Sequence, residues 1–189
     1  NGEYEILVED ISVDGEGIGR IDGFTVFVGG ALPGEKVRIR VSKVGKNFGY
    51  GELLKIIVPS PDRVNPSCPY AERCGGCSLQ HLSYSAQLKF KTRRVCDVLK
   101  RIGRIENAKV HEAIGMDDPW RYRNKAQFPV GMAGNSLAIG FFAPGSHDIV
   151  DMDRCIINHQ VNDRIVQIIR DFIQRYSIPV YDEVAHRGI

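Results

Sequence analysis

Over residues 1–58, apolar and polar positions alternate with a period of two. Tyr4–Ser12 sets Ile6, Val8 and Ile11 among charged neighbours, and Lys36–Lys43 sets Val37, Ile39 and Val41 against Arg38, Arg40 and Lys43. That period belongs to strands with one face buried. Phe24–Val28 is β-branched and aromatic, and Tyr50–Val58 supplies a fifth strand. Gly15, Gly17 and Gly19, then Gly29-Gly30 and Pro33-Gly34, punctuate the segments as turns. Five short strands with glycine turns predict a small closed barrel of OB type, since closure removes exposed sheet edges.

Pro59, Pro61 and Pro66 mark a boundary, and the pattern then changes. Ser83–Gly103 reads as a helix, with Ser83 as N-cap, Gly103 as terminator, and Leu88, Val95, Leu99 and Ile102 along one face. Lys109–Ile114, Arg121–Val130, Leu137–Phe142 and Asp148–Met152 read as strands. Asn158–Tyr176 is a second helix striped by Ile165, Ile168, Ile169 and Phe172, and Ile178–Val184 begins another strand. The predicted fold is mainly β with α+β. A five-stranded OB-like barrel over residues 1–58 precedes an α+β domain over residues 59–189.

Composition changes this picture little. Hydrophobic residues make up 43% of the chain and charged residues 25%, as in an ordinary soluble globular protein. No apolar run approaches the roughly 20 residues of a membrane span, so no membrane partner is expected. Charge is more informative. Residues 1–22 hold seven acids against Arg20, whereas residues 36–55 hold six bases against Glu52. Such segregation along the chain suggests one nucleic-acid-facing surface.

The densest chemistry lies in Cys68-Pro-Tyr-Ala-Glu-Arg-Cys74-Gly-Gly-Cys77, a C-x5-C-x2-C run, with Cys155 far downstream. Three thiolates from one loop and a fourth from a distant element can enclose zinc or an iron–sulfur cluster. The two glycines let the backbone curl and direct N–H groups at sulfur. Zinc sites usually come as two short C-x2-C pairs, and Cys155 has no close cysteine partner, which favours a [4Fe–4S] cluster. Ordinary core cysteines scatter, and a disulfide framework does not suit five cysteines in a chain of 189 residues. A thiolate site without an apparent signal peptide implies the reducing cytoplasm. Cys96, in a basic helical stretch, reads as a spare thiol.

Lys43–Gly51 interleaves Lys43 and Lys46 with Phe48 and Tyr50. Cations meet phosphates and aromatic rings stack on unpaired bases, so single-stranded RNA is the expected ligand. Trp120-Arg-Tyr-Arg-Asn-Lys125 repeats the mixture, and alternation on a strand would align Arg121, Arg123 and Lys125 on one face. A second basic run, residues 87–104, carries seven cations against Asp97. A solvated helix face explains it equally well. The five histidines show no metal-ligand spacing, and Gly15–Gly19 lacks the strand–loop–helix context of a dinucleotide loop.

Asp14-Gly-Glu-Gly-Ile-Gly19 and Ala31-Leu-Pro-Gly-Glu35 resemble the TRAM RNA-binding domain. The cysteine run with Ser78-Leu-Gln-His-Leu82, Arg121–Lys125, Cys155 and His186-Arg-Gly188 is similar to the bacterial 23S rRNA (uracil-C5) methyltransferases. The resemblance spans essentially the whole chain. It implies that Cys68, Cys74, Cys77 and Cys155 ligate a [4Fe–4S] cluster in a central domain, with 23S rRNA as partner and 5-methyluridine as product. In that family a further domain binds S-adenosylmethionine, supplies a cysteine that attacks C6 of uracil, and removes the C5 proton after methyl transfer. No such domain lies within these residues, so no catalytic residue is assigned and the chain is expected to be an inactive fragment. The helix at 83–103 is then expected to pack on the catalytic domain or, failing that, on a second copy. The competing readings are a stand-alone zinc- or cluster-containing RNA-binding module, and tRNA in place of rRNA. Radical methylthiotransferases, which also join TRAM domains to clusters, use a C-x3-C-x2-C spacing that is not found here.

Overall fold

The computed structural model describes residues 2–181 and 185–188. Five strands open the chain: β1 (Glu3–Ile11), β2 (Gly17–Ile21), β3 (Phe24–Val28), β4 (Lys36–Val44) and β5 (Phe48–Val58). They close into a barrel in the order β1-β2-β3-β5-β4, with β1 pairing β4 and β3 running parallel to β5. The alternating pattern is what makes closure possible. Ile6, Val8, Val26, Val28, Val37 and Ile39 all point inward and form one buried cluster with Ala31. Gly17 lies on β2 inside this barrel, where a Cβ would come within 2.8 Å of the Ala31 carbonyl. The crowding calls for glycine there. Gly15, in the preceding turn, adopts φ +89°, a region that glycine enters freely.

After the barrel come α1 (Tyr84–Arg101), β6 (Val130–Ala133), β7 (Ser136–Phe142), β8 (Ile149–Asp151) and α2 (Gln160–Arg175). Ser83 caps α1 as its spacing predicts, its hydroxyl accepting from the Ala86 N–H. β6, β7 and β8 form an antiparallel three-stranded sheet. The chain is thus mainly β with two helices. By contact it divides into two compact units, residues 1–65 with 78–114 and residues 66–77 with 115–189. This division differs from a split at residue 58, because α1 gathers with the barrel.

Several expected elements are absent. Lys109–Ile114 forms no strand, and of Arg121–Val130 only Val130 enters one. Arg123 makes an isolated bridge to Asn158. Residues 178–181 are irregular, and 182–184 of the expected last strand lie outside the described residues. The apolar stripe of α1 also differs from expectation. Ala86 and Phe90 pack against Ile11, Leu32 and Leu82, while Val95 and Ile102 are exposed. Only the first half of the helix has barrel beneath it.

One polar feature locks the barrel unit. Glu35 is fully buried, yet both its carboxylate oxygens are satisfied. Oε2 accepts from the Leu32 N–H at 2.9 Å, and Oε1 accepts from the Ser60 N–H at 3.1 Å. Arg63 donates to both oxygens, at 2.6 and 2.8 Å, and to the Gly30 carbonyl at 2.6 Å. Burial alone would push the carboxyl up. The Arg63 guanidinium and the two N–H donors outweigh it and hold the group below its ordinary range.

Candidate functional site

The cysteine loop belongs to the second unit. Short turns shape it: the Cys74 and Arg73 N–H groups both donate to the Tyr70 carbonyl, at 2.8 and 3.0 Å. The Gly75 N–H reaches the Phe142 carbonyl at 2.9 Å, and a Cβ at Gly75 would press on that same oxygen. The sequence pattern anticipates this need for glycine. At Gly76 the N–H donates to Cys74 Sγ at 3.4 Å. Cys155 arrives from the segment after β8. Its sulfur accepts from the Ile157 and Asn158 N–H groups. The Tyr70 hydroxyl accepts from the Asp153 N–H at 3.2 Å and so ties the two cysteine-bearing segments together. Tyr70 was not singled out by the sequence pattern, although its place between Cys68 and Cys74 was a usable signal.

Cys74, Cys77 and Cys155 pack in one cluster with Tyr70, Trp120, Phe128 and Phe141. All five cysteines are free, and Cys96 stands exposed on α1. Burial pushes the Cys74 and Cys155 thiols up, and the neighbouring sulfurs, Cys68 and Cys77 among them, push the same way. A cationic centre among them would reverse that shift. Four soft sulfurs, N–H donors aimed at two of them and an aromatic wall are a donor set that fits an iron–sulfur cluster. Among the described residues, no three His, Cys, Asp or Glu side chains gather tightly enough to hold one metal ion. The thiols sense one another, but they are not packed for single-ion coordination.

The predicted RNA residues separate into two groups. On β5, Phe48 and Tyr50 face outward while Gly49 is buried, and both rings are exposed. Phe27 of β3 joins them, because β3 pairs with β5 so that Phe27 opposes Tyr50. Ring centroids lie 5.5 Å apart for Phe27–Phe48, 5.9 Å for Phe27–Tyr50 and 5.8 Å for Phe48–Tyr50. The alternation of Val26 and Val28 inward already implied an outward Phe27. Lys43 stands opposite Tyr50 on β4, and Lys46 lies in the β4–β5 turn. Among the described residues no acid pairs with either lysine.

The remaining barrel cations behave differently. Because β1 lies beside β4, Glu5 meets Lys36 and Arg38 at 2.9 and 2.8 Å, and Glu3 meets Arg40 at 2.9 Å. Charges segregated along the chain neutralise one another across strands.

Arg121, Arg123 and Lys125 do not form a row on a strand. Arg121 takes φ +55° and turns its guanidinium onto Asp163 at 2.6 Å and onto the Cys155 and Asn158 carbonyls at 2.9 and 3.1 Å. Arg123 is half-buried and Lys125 exposed. His159 caps α2, its Nδ1 accepting from the Val161 N–H, and so has a structural use.

Residues 1–54 match the TRAM domain family. The chain is homologous along its whole length to proteins named as RNA methyltransferases. It is 47% identical over 188 residues to one of Halalkalibacterium halodurans and 48% identical over 187 residues to one of Caldanaerobacter subterraneus. It covers 41% of the length of each, so it spans about two fifths of these relatives. Among solved structures it resembles the Pyrococcus abyssi tRNA (uracil-54, C5)-methyltransferase in complex with S-adenosyl-L-homocysteine. The TM-score is 0.66 at 28% identity, covering 97% of this chain and 40% of the other.

Proposed function

We propose that this chain is the RNA-recognition and cluster-bearing part of an S-adenosylmethionine-dependent RNA (uracil-5-)-methyltransferase. The observation that carries the reading is the exposed Phe27–Phe48–Tyr50 platform with unpaired Lys43 and Lys46, on a barrel that matches the TRAM family. Stacked rings grip bases of any sequence, and the lysines meet the backbone phosphates. Arg123 and Lys125 add cationic contacts, whereas the charge of Arg121 is spent on Asp163. S-adenosylmethionine and the catalytic groups belong to the remainder of the full-length protein. The exposed Val95 and Ile102 of α1 support its packing on that remainder, or self-association of this chain alone.

Cys68, Cys74, Cys77 and Cys155 would hold the [4Fe–4S] cluster. Bound there, the cluster would cross-link the cysteine loop to the segment after β8. Around it, the Gly76, Ile157 and Asn158 N–H groups stabilise sulfur charge, and Trp120, Phe128 and Phe141 limit access of water.

The motifs point to 23S rRNA as substrate, while the likeness to an archaeal tRNA enzyme supports tRNA as the second reading. Methyl transfer by the full-length protein to unmodified 23S rRNA and tRNA transcripts separates the two. Iron and acid-labile sulfide in anaerobically purified protein test the cluster: about four of each per chain is expected, and zinc alone would overturn it.

A further inference from the structure

Three of the four cysteines are confined by short spacing within one loop, but Cys155 reaches them only through tertiary contacts. We propose that Arg121 and Asp163 form a clamp that fixes Cys155 as a cluster ligand. Both are positioning residues that act through its backbone. This inference rests on the cluster reading above.

The clamp closes on both sides of the same residue. The Cys155 N–H donates to Asp163 Oδ1 at 3.0 Å, and its carbonyl accepts from Arg121 Nη1 at 2.9 Å. Asp163 Oδ2 meets that same Nη1 at 2.6 Å, which completes a ring of contacts around one peptide unit on each side. With both polar backbone groups taken, residue 155 cannot swing, and the direction of its sulfur is set. The support is layered. Asp163 lies in the first turn of α2, where a carboxylate is also favoured by the helix dipole. Arg121 itself is anchored, its N–H donating to the Ile156 carbonyl at 3.0 Å, while the Arg123 N–H donates to the Ile157 carbonyl at 2.9 Å. The same segment, 156–158, supplies the N–H groups that reach the Cys155 sulfur.

The backbone of Arg121 provides a second, independent observation. Its φ of +55° is unfavourable for a side chain of this size. Such strain persists where surrounding contacts over-determine a conformation, and it concentrates at functional sites. An arginine needed only for surface charge has no reason to be held this way.

The pair could instead be a plain tie for the start of α2, and the two roles differ in what they predict. The test uses protein loaded anaerobically with ferrous iron and sulfide, with the visible absorbance of the cluster followed in air and with a chelator. Arg121→Met and Asp163→Asn should lose the cluster about tenfold faster than wild type, as removal of outer partners of metal ligands typically does. Arg121→Lys, which keeps the charge but loses the planar fork, should fall between. The double variant should be no worse than either single change, because the two side chains act as one unit. Rates are read well below the melting temperature of each variant, so a general loss of stability does not masquerade as the effect. Loaded wild type and variants that bleach at one rate, even with lowered melting temperatures, would overturn the clamp and leave the cluster standing. Wild type that takes up no iron and sulfide would overturn both.

Discussion

In the barrel every strand has two hydrogen-bonded neighbours, the core is filled from its own alternating residues, and its one buried carboxylate is fully satisfied. The cysteine-bearing unit is built otherwise. Its three strands leave two open edges. Ile165, Ile168, Ile169 and Phe172 of α2 remain exposed, and the buried amide of Asn158 finds no partner. Closure of a sheet lets a short sequence satisfy itself. An open sheet with few elements must draw order from particular ties: Tyr70 to Asp153, Arg121 to Asp163, and the four sulfurs. Stability in the first unit is therefore spread over many side chains, whereas in the second it is concentrated in a few.

The sharpest way to break this comparison is Arg63→Ala. It strands Glu35 as an uncompensated buried charge, and about 3–5 kcal/mol should be lost. Calorimetry should show the loss in the barrel transition only. A fall in cluster retention of equal weight would mean that the two units are not energetically distinct. Next in size is Phe48→Ala, which should weaken binding of single-stranded RNA by about 1–3 kcal/mol and leave the salt slope unchanged. Lys43→Ala with Lys46→Ala should instead flatten that slope by about two units. Titration at several salt concentrations separates these effects, and an unchanged affinity for both variants would make the platform a bystander.

A smaller effect is expected of Ser83→Ala, which removes the N-cap of α1 and should cost about 1 kcal/mol in thermal unfolding of the barrel unit. The last concerns acid. The Glu35 carboxyl is held below its ordinary value of 4.5. Its contribution is therefore complete above that pH and is lost as pH falls through the lower folded-state value. Melting temperature recorded from neutral to acid pH should decline below about 4.5 in wild type and more gently in Arg63→Ala, where the pair is already broken.

Much of the barrel was legible in the sequence, and so were both helices to within two residues. Strand alternation and helical spacing are properties of neighbouring residues, and burial of one face acts on them directly. The cysteine loop was legible for the same reason: C-x5-C-x2-C with Gly75 and Gly76 fixes a local geometry. Arg121 was not, because its strand-like neighbours gave no sign that a contact with Asp163 and a left-handed backbone would override alternation.

What the chain alone determined was therefore the set of locally specified parts: a self-closing barrel, a curled thiolate loop and two amphipathic helices. Tertiary structure decided which parts meet. It placed β1 beside β4, so that acids and bases far apart in sequence neutralise one another. It added Phe27 to the ring pair of β5, gathered α1 with the barrel, and brought Cys155 to the cysteine loop. The physical reason is that side-chain period is set over a few residues. Pairing across tens of residues depends instead on which backbone edges and buried groups find their partners when the chain closes.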